Sequence, residues 1–155
     1  MSGFVFGQRS LTNLEGVHAD LVSVCQRAIE VSLVDFGIIE GRRSPTRQVE
    51  LVAAGASRTT NSKHLIGHAV DVAAYSGGII SWEWHYYPVI AGAMQQASQE
   101  LGIQVVWGCV WNRQLASLTA DLEHEVAVYK ASRKGKAFLD AGHYELRMPP
   151  LTVTA

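Results

Sequence analysis

The segment Ser62-Lys63-His64-Leu65-Ile66-Gly67-His68-Ala69-Val70-Asp71 is answered near the end of the chain by Asp140-Ala141-Gly142-His143-Tyr144-Glu145. Together the two stretches supply imidazoles and carboxylates from distant parts of one chain, the donor types of a zinc site that keeps one coordination position open. After Gly67, Ala69, Asp71 and Ala73 alternate with Val70 and Val72, which reads as a strand entered from a loop. His64 then sits where the loop enters the strand, and Asp71 points from one strand face. A third ligand must come from elsewhere. His143, in a short strand from His143 to Leu146 and beside acidic residues, is the best candidate.

Other donors compete less well. His68 follows His64 at a helical spacing, but Gly67 and the alternation after it argue for a strand and leave His68 as a neighbour. His124-Glu125 begins an HExxH pattern whose second histidine would fall on Val128, so that motif is absent. His18 and His85 lack partners at informative spacing and read as capping or core residues. Cys25 and Cys109 are far apart, form no CxxC pair and read as buried, reduced thiols. Asp140 precedes His143 by three residues, near enough to act as a base on water at the metal without ligating it. Glu145 is its rival, read here as a partner that orients a ligand. Arg42 and Arg43 are both candidates to stabilise an oxyanion, and composition does not separate them.

Working outward, the apolar positions Val17, Leu21, Val24, Cys25, Ala28 and Ile29 predict one long amphipathic helix between Gly16 and Phe36. Phe36 to Ile39 reads as a buried strand. Ser44-Pro45 reads as an N-cap with proline at the first helical position, opening a helix that ends near Gly55. Gly77-Gly78 marks a turn, Trp84 to Leu101 a helix stopped by Gly102, and Gln104 to Trp107 a strand. Leu118, Leu122, Val126 and Tyr129 form another helical stripe, and Pro149-Pro150 closes the ordered part. The expected architecture is α+β, a single compact domain over residues 1–155 with its core at about 16–147. A small, mainly antiparallel sheet with flanking helices would carry a zinc site in a cleft. The chain of 155 residues, with a formal charge of -1, offers no basic footprint for nucleic acid and no apolar run long enough to span a bilayer. Its first residues lack the pattern of a secretory signal, so synthesis and initial residence in the cytoplasm are expected.

The pattern Ser62-x-His64-x-x-Gly67-x-Ala69-x-Asp71 with Asp140-x-x-His143 resembles the paired signatures of the zinc D-Ala-D-Ala carboxypeptidase and L-alanyl-D-glutamate peptidase family. Glu40-Gly41-Arg42-Arg43 with Gln48, and the Trp107-Gly108 pair, resemble its flanking landmarks. The resemblance covers roughly Gly16 to Arg147. It implies one zinc ion per chain on His64, Asp71 and His143, with Asp140 as catalytic base and Arg43 as the arginine that stabilises substrate or transition state. It also places Ser62, Gln48 and Trp107 at the substrate. Within the family the chain looks most like phage endolysins, which cut the peptidoglycan stem peptide between L-alanine and D-glutamate. That implies a monomer that reaches the periplasmic wall once the inner membrane is permeabilised.

A D-Ala-D-Ala carboxypeptidase or dipeptidase of wall turnover is the alternative reading, and a non-catalytic wall-peptide binding module a more distant one. The chain departs from the family pattern at Gly142 and Tyr144, where proline and phenylalanine are usual. The stretch from Cys109 to Leu139 is longer than in short members and reads as a lid or cleft wall. Trp82, Trp84, Tyr86 and Tyr87 are read first as core, with cleft lining as the alternative.

Overall fold

The computed structural model describes residues 3–57 and 62–147. Five strands form one antiparallel sheet: β1 (Asp35–Glu40), β2 (Ala69–Ser76), β3 (Ile79–Ser81), β4 (Val105–Trp107) and β5 (His143–Leu146). Four of them run in the order β1-β2-β5-β4, and β3 pairs with β2. Strand β2 is the spine. Its period-2 alternation puts Val70, Val72 and Ala74 into the hydrophobic core and turns Asp71 to the other face. The fold is the expected α+β domain.

Five helices flank the sheet: α1 (Gln8–Asn13), α2 (Ala19–Val31), α3 (Pro45–Ala53), α4 (Tyr87–Leu101) and α5 (Leu122–Ser132). Leu21, Val24, Cys25, Ala28 and Ile29 of α2 are buried, as are Ile90, Met94 and Ala97 of α4, and the two helices pack on each other. Helix α2 begins later than the apolar stripe predicts. Gly16 has φ +79°, which no right-handed helix accommodates, and the His18 Nδ1 caps α2 by accepting from Asp20 N at 3.0 Å. The core also takes in Phe6 and Leu14, upstream of that stripe. Helix α1 had no sequence signal beyond six polar-rich residues, yet its Ser10 Oγ accepts from Ile38 N at 3.0 Å.

Local chemistry accounts for the other boundaries. Ser44 caps α3 by accepting from Arg47 N, with Pro45 in the first turn. Gly77 and Gly78 both have positive φ, which makes the tight β2–β3 hairpin and adds a strand the sequence reading did not include. A 3-10 turn over Trp84–Tyr86 precedes α4, and Gly102 at φ +67° ends it. Leu118 of the expected stripe lies before α5, whose N-cap is Asp121. The Pro149-Pro150 terminus lies outside the described residues.

Candidate metal centre

Asp71 and His143 are directly paired across β2 and β5, so the sheet register brings them together from opposite ends of the domain. His64 arrives from a 3-10 turn, Lys63–Ile66, rather than from the strand edge itself. Ser62 caps that turn by accepting from His64 N at 3.2 Å, and Gly67 closes it at φ +73°. A Cβ at Gly67 would lie 2.2 Å from the Gly16 carbonyl oxygen, so glycine is required there on two counts. One donor atom from each of His64, Asp71 and His143 lies within 4.8 Å of the others. This group could hold a metal ion.

The hydrogen bonds around it aim the donors inward. His64 Nδ1 lies 2.8 Å from the Gly41 carbonyl oxygen, which can only accept, so Nδ1 carries a proton; Nε2 faces Asp71 Oδ2 at 3.2 Å. His143 Nε2 lies 2.9 Å from Glu145 Oε1, and its Nδ1 lies 3.1 Å from Asp71 Oδ1. Glu145 is held in turn by Lys63 Nζ at 2.9 Å. Acceptors behind both imidazoles are the arrangement that orients histidine ligands and raises their basicity.

The electrostatics favour a cation at this point. Burial opposes ionisation of Asp71, yet hydrogen bonds from His143 and His64 hold its carboxyl well below the usual range. Burial likewise opposes protonation of His143, but its bonds to Asp71 and Glu145 raise its pKa to about 9. A divalent ion supplies the charge that a proton otherwise brings. The nitrogen and oxygen donor set suits zinc and leaves room for a fourth ligand.

Asp140 lines the same cavity of about 320 Å³ as the three donors. Its backbone N donates to Gly108 O at 2.8 Å, and its own carbonyl accepts from His143 N at 3.1 Å. Trp107, fully buried, donates Nε1 to Ala141 O at 2.8 Å and braces the same turn. Burial and the neighbouring Asp71 charge push the Asp140 carboxyl upward.

The structure separates the two arginines. Arg42 is exposed and lies along Gly16, whereas Arg43 is buried and faces the site. Strand β1 shifts register between Ile38 and Glu40, and Glu40 meets Arg43 through paired 2.8 Å bonds to Nε and Nη2. Arg43 Nη1 donates to Gln48 Oε1 at 2.6 Å, and Nη2 reaches Asp71 Oδ2 at 3.4 Å. Gln48 is fully buried and also donates to Ser57 Oγ, so it touches the cavity wall through both Arg43 and Ser57.

The other sequence candidates fall elsewhere. His68 packs edge-on against His18 with ring centroids 5.2 Å apart. Glu125 accepts from Thr119 N, and His85 lies against Tyr86. Cys25 and Cys109 are buried free thiols outside the donor group.

Five cavity residues had no role in the sequence reading: Ala56, Ser57, Lys63, Trp111 and Phe138. Lys63 lay inside the motif, but the aromatic pair carries no local signal. Of the four aromatics expected in the core, Tyr87 is buried. Trp82 and Trp84 are 64% and 41% exposed and line an adjoining hollow with Glu40, Arg43 and Asp140.

Comparison with known proteins gives one consistent result. The family model for phage L-alanyl-D-glutamate peptidase matches residues 1–147. The chain is 33% identical over 147 residues to an L-alanyl-D-glutamate peptidase of Escherichia phage T5, covering 92% of this chain and 98% of that protein. The crystal structure of the Serratia marcescens L-Ala D-Glu endopeptidase ChiX superimposes with a TM-score of 0.71 at 42% identity, covering 92% of this chain and 90% of that one.

Proposed function

We propose, from the premise that the chain belongs to the phage L-alanyl-D-glutamate peptidase family, that it is a zinc endopeptidase hydrolysing the L-alanyl-D-glutamate bond of the peptidoglycan stem peptide. The observation that carries this is the convergence of His64, Asp71 and His143 in one cavity with Asp140.

His64, Asp71 and His143 would hold the metal. Zinc, when bound, supplies Lewis acidity that polarises a carbonyl and brings the pKa of water toward about 7. Asp140 accepts a proton from the attacking water as the new carbon–oxygen bond forms. It then delivers that proton to the departing D-glutamyl amine as the carbon–nitrogen bond breaks.

Arg43 offers positive charge to the developing oxyanion. Four of its five N–H donors are committed to Glu40, Gln48 and Asp71, so the guanidinium is fixed in place with one Nη1 donor left over. Gln48 and Trp107 serve as positioning residues, holding Arg43 and the Asp140 turn respectively. Ser62 supports the His64 turn and lines the cavity.

All these residues come from one chain, which supports action as a monomer. No helix among the described residues is long and apolar enough to cross a membrane. In this reading a separate agent opens the inner membrane and the enzyme then works on the wall. Incubation with a synthetic stem pentapeptide tests the assignment: a new amino terminus on D-glutamate supports it, and release of the terminal alanine alone assigns a carboxypeptidase instead.

A further inference from the structure

The groove continues beyond the metal donors. Trp111 lies tilted against the His143 ring at 5.2 Å and stacks on Phe138 at 6.1 Å, with its Nε1 donating to Phe138 O at 2.9 Å. This pair walls the donor cavity and also a neighbouring hollow of about 420 Å³. Arg133, Lys134 and Lys136 line that hollow, with Arg133 over the Tyr129 ring at 5.6 Å. Lys130 in the last turn of α5 complements the helix dipole, but these three cations lie past the helix end. Among the described residues none of the three forms an ion pair.

The whole chain carries a formal charge of -1, so the arm is a local concentration of positive charge. The hollow lined by Trp82 and Trp84 adjoins the same donor cavity, shares no wall residue with the basic hollow, and contains no cation except Arg43. The groove therefore has one basic end and one indole-lined end.

We propose that the Arg133–Lys136 arm, reached from His143 across Trp111 and Phe138, is the subsite for substrate carboxylates that follow the scissile bond, and that it sets the direction in which the peptide lies. This rests on the L-alanyl-D-glutamate peptidase reading. In such a substrate the acidic residue is on the leaving-amine side, while the alanine side chain carries no charge. Exposed cations of this kind act as a field more than as fixed ion pairs, so their effect on binding weakens with salt.

The test compares two acetylated L-alanyl-D-glutamyl stem peptides, one with its downstream carboxyls free and one with them amidated. With the zinc-loaded enzyme, the free-carboxyl peptide should be preferred roughly fivefold in kcat/KM, through KM, and less so at high salt. R133A/K134A/K136A should abolish that preference, and K134E/K136E should reverse it. An unchanged ratio in both variants overturns the proposal. If the wild-type protein cleaves neither peptide, the peptidase reading fails instead. Fluorescence anisotropy with Asp140→Ala protein still decides the arm in that case. Tighter binding of the free-carboxyl peptide, lost on charge reversal at 134 and 136, supports it, and equal binding overturns it.

Discussion

Asp71 and His143 sit opposite each other on neighbouring strands, 72 residues apart in sequence, with Oδ1 and Nδ1 at 3.1 Å. The candidate metal site is thus a property of the β2–β5 register. A slip of one residue in either strand would turn that strand's donor to the core face and leave its neighbour, valine in β2 or tyrosine in β5, in its place. The hydrophobic alternation that keeps Val70 and Tyr144 buried is what keeps Asp71 and His143 at the cleft.

His143→Ala should lose stoichiometric zinc, measured by elemental analysis of the purified, folded variant. Glu145→Gln should retain the site but bind zinc about 10–100-fold more weakly, because it weakens the acceptor behind His143 Nε2. Full zinc content in His143→Ala removes His143 from the ligand set.

Asp140→Ala should keep its zinc and lose roughly two to four orders of magnitude in turnover on a stem peptide. Near-normal turnover would move the role of base to another group, with Glu145 the first to examine. Glu145 is already engaged by His143 and Lys63, which hold its carboxyl below the usual range against the effect of burial.

The two departures from the family pattern should respond in opposite ways to reversion. A Cβ at residue 142 would lie 2.4 Å from the Val72 carbonyl oxygen, within the turn that links Asp140 to His143. Gly142→Pro should therefore destabilise the fold by about 2 kcal/mol or more and impair turnover. Tyr144 is fully buried, and its hydroxyl has no hydrogen-bond partner among the described residues. Tyr144→Phe should stabilise by about 1 kcal/mol, since it removes a buried polar group without opening a cavity. Chemical denaturation of the two variants checks both signs.

Burial pushes the Cys25 thiol up to about 12, and burial with the nearby Asp140 charge does the same to Cys109. Both folded values lie above the unfolded value of about 8.5. The protonated thiols therefore contribute stability that is complete below that pH and is lost as pH rises toward 12. Thermal midpoints should fall through the alkaline range, less steeply in Cys25→Ala. Iodoacetamide at neutral pH should label neither thiol until the protein unfolds, and rapid labelling of the native protein would contradict the burial.

Much of this site was legible because motif chemistry and strand period agree. Alternation around Asp71 predicted both its strand and its face, and the short spacing from Asp140 to His143 puts both side chains on one cavity wall. The position of His64 was read as a strand entrance because a four-residue 3-10 turn has no periodicity to detect. Arg42 and Arg43 were inseparable as neighbours in sequence. Their difference arises from the β1 bulge and the Glu40–Gln48 cradle, both of which are tertiary. Trp111 and Phe138 meet only because the long connection between β4 and β5 folds back on itself, and no local pattern encodes that contact.

The most direct test is mass spectrometry of purified muropeptides digested with the zinc-loaded enzyme, with chelator, and with zinc restored after chelation. Muramyl-L-alanine and peptides beginning at D-glutamate are the expected products, both abolished by chelator and recovered with zinc. Products that persist unchanged in chelator, or digestion that removes only a terminal alanine, would contradict it.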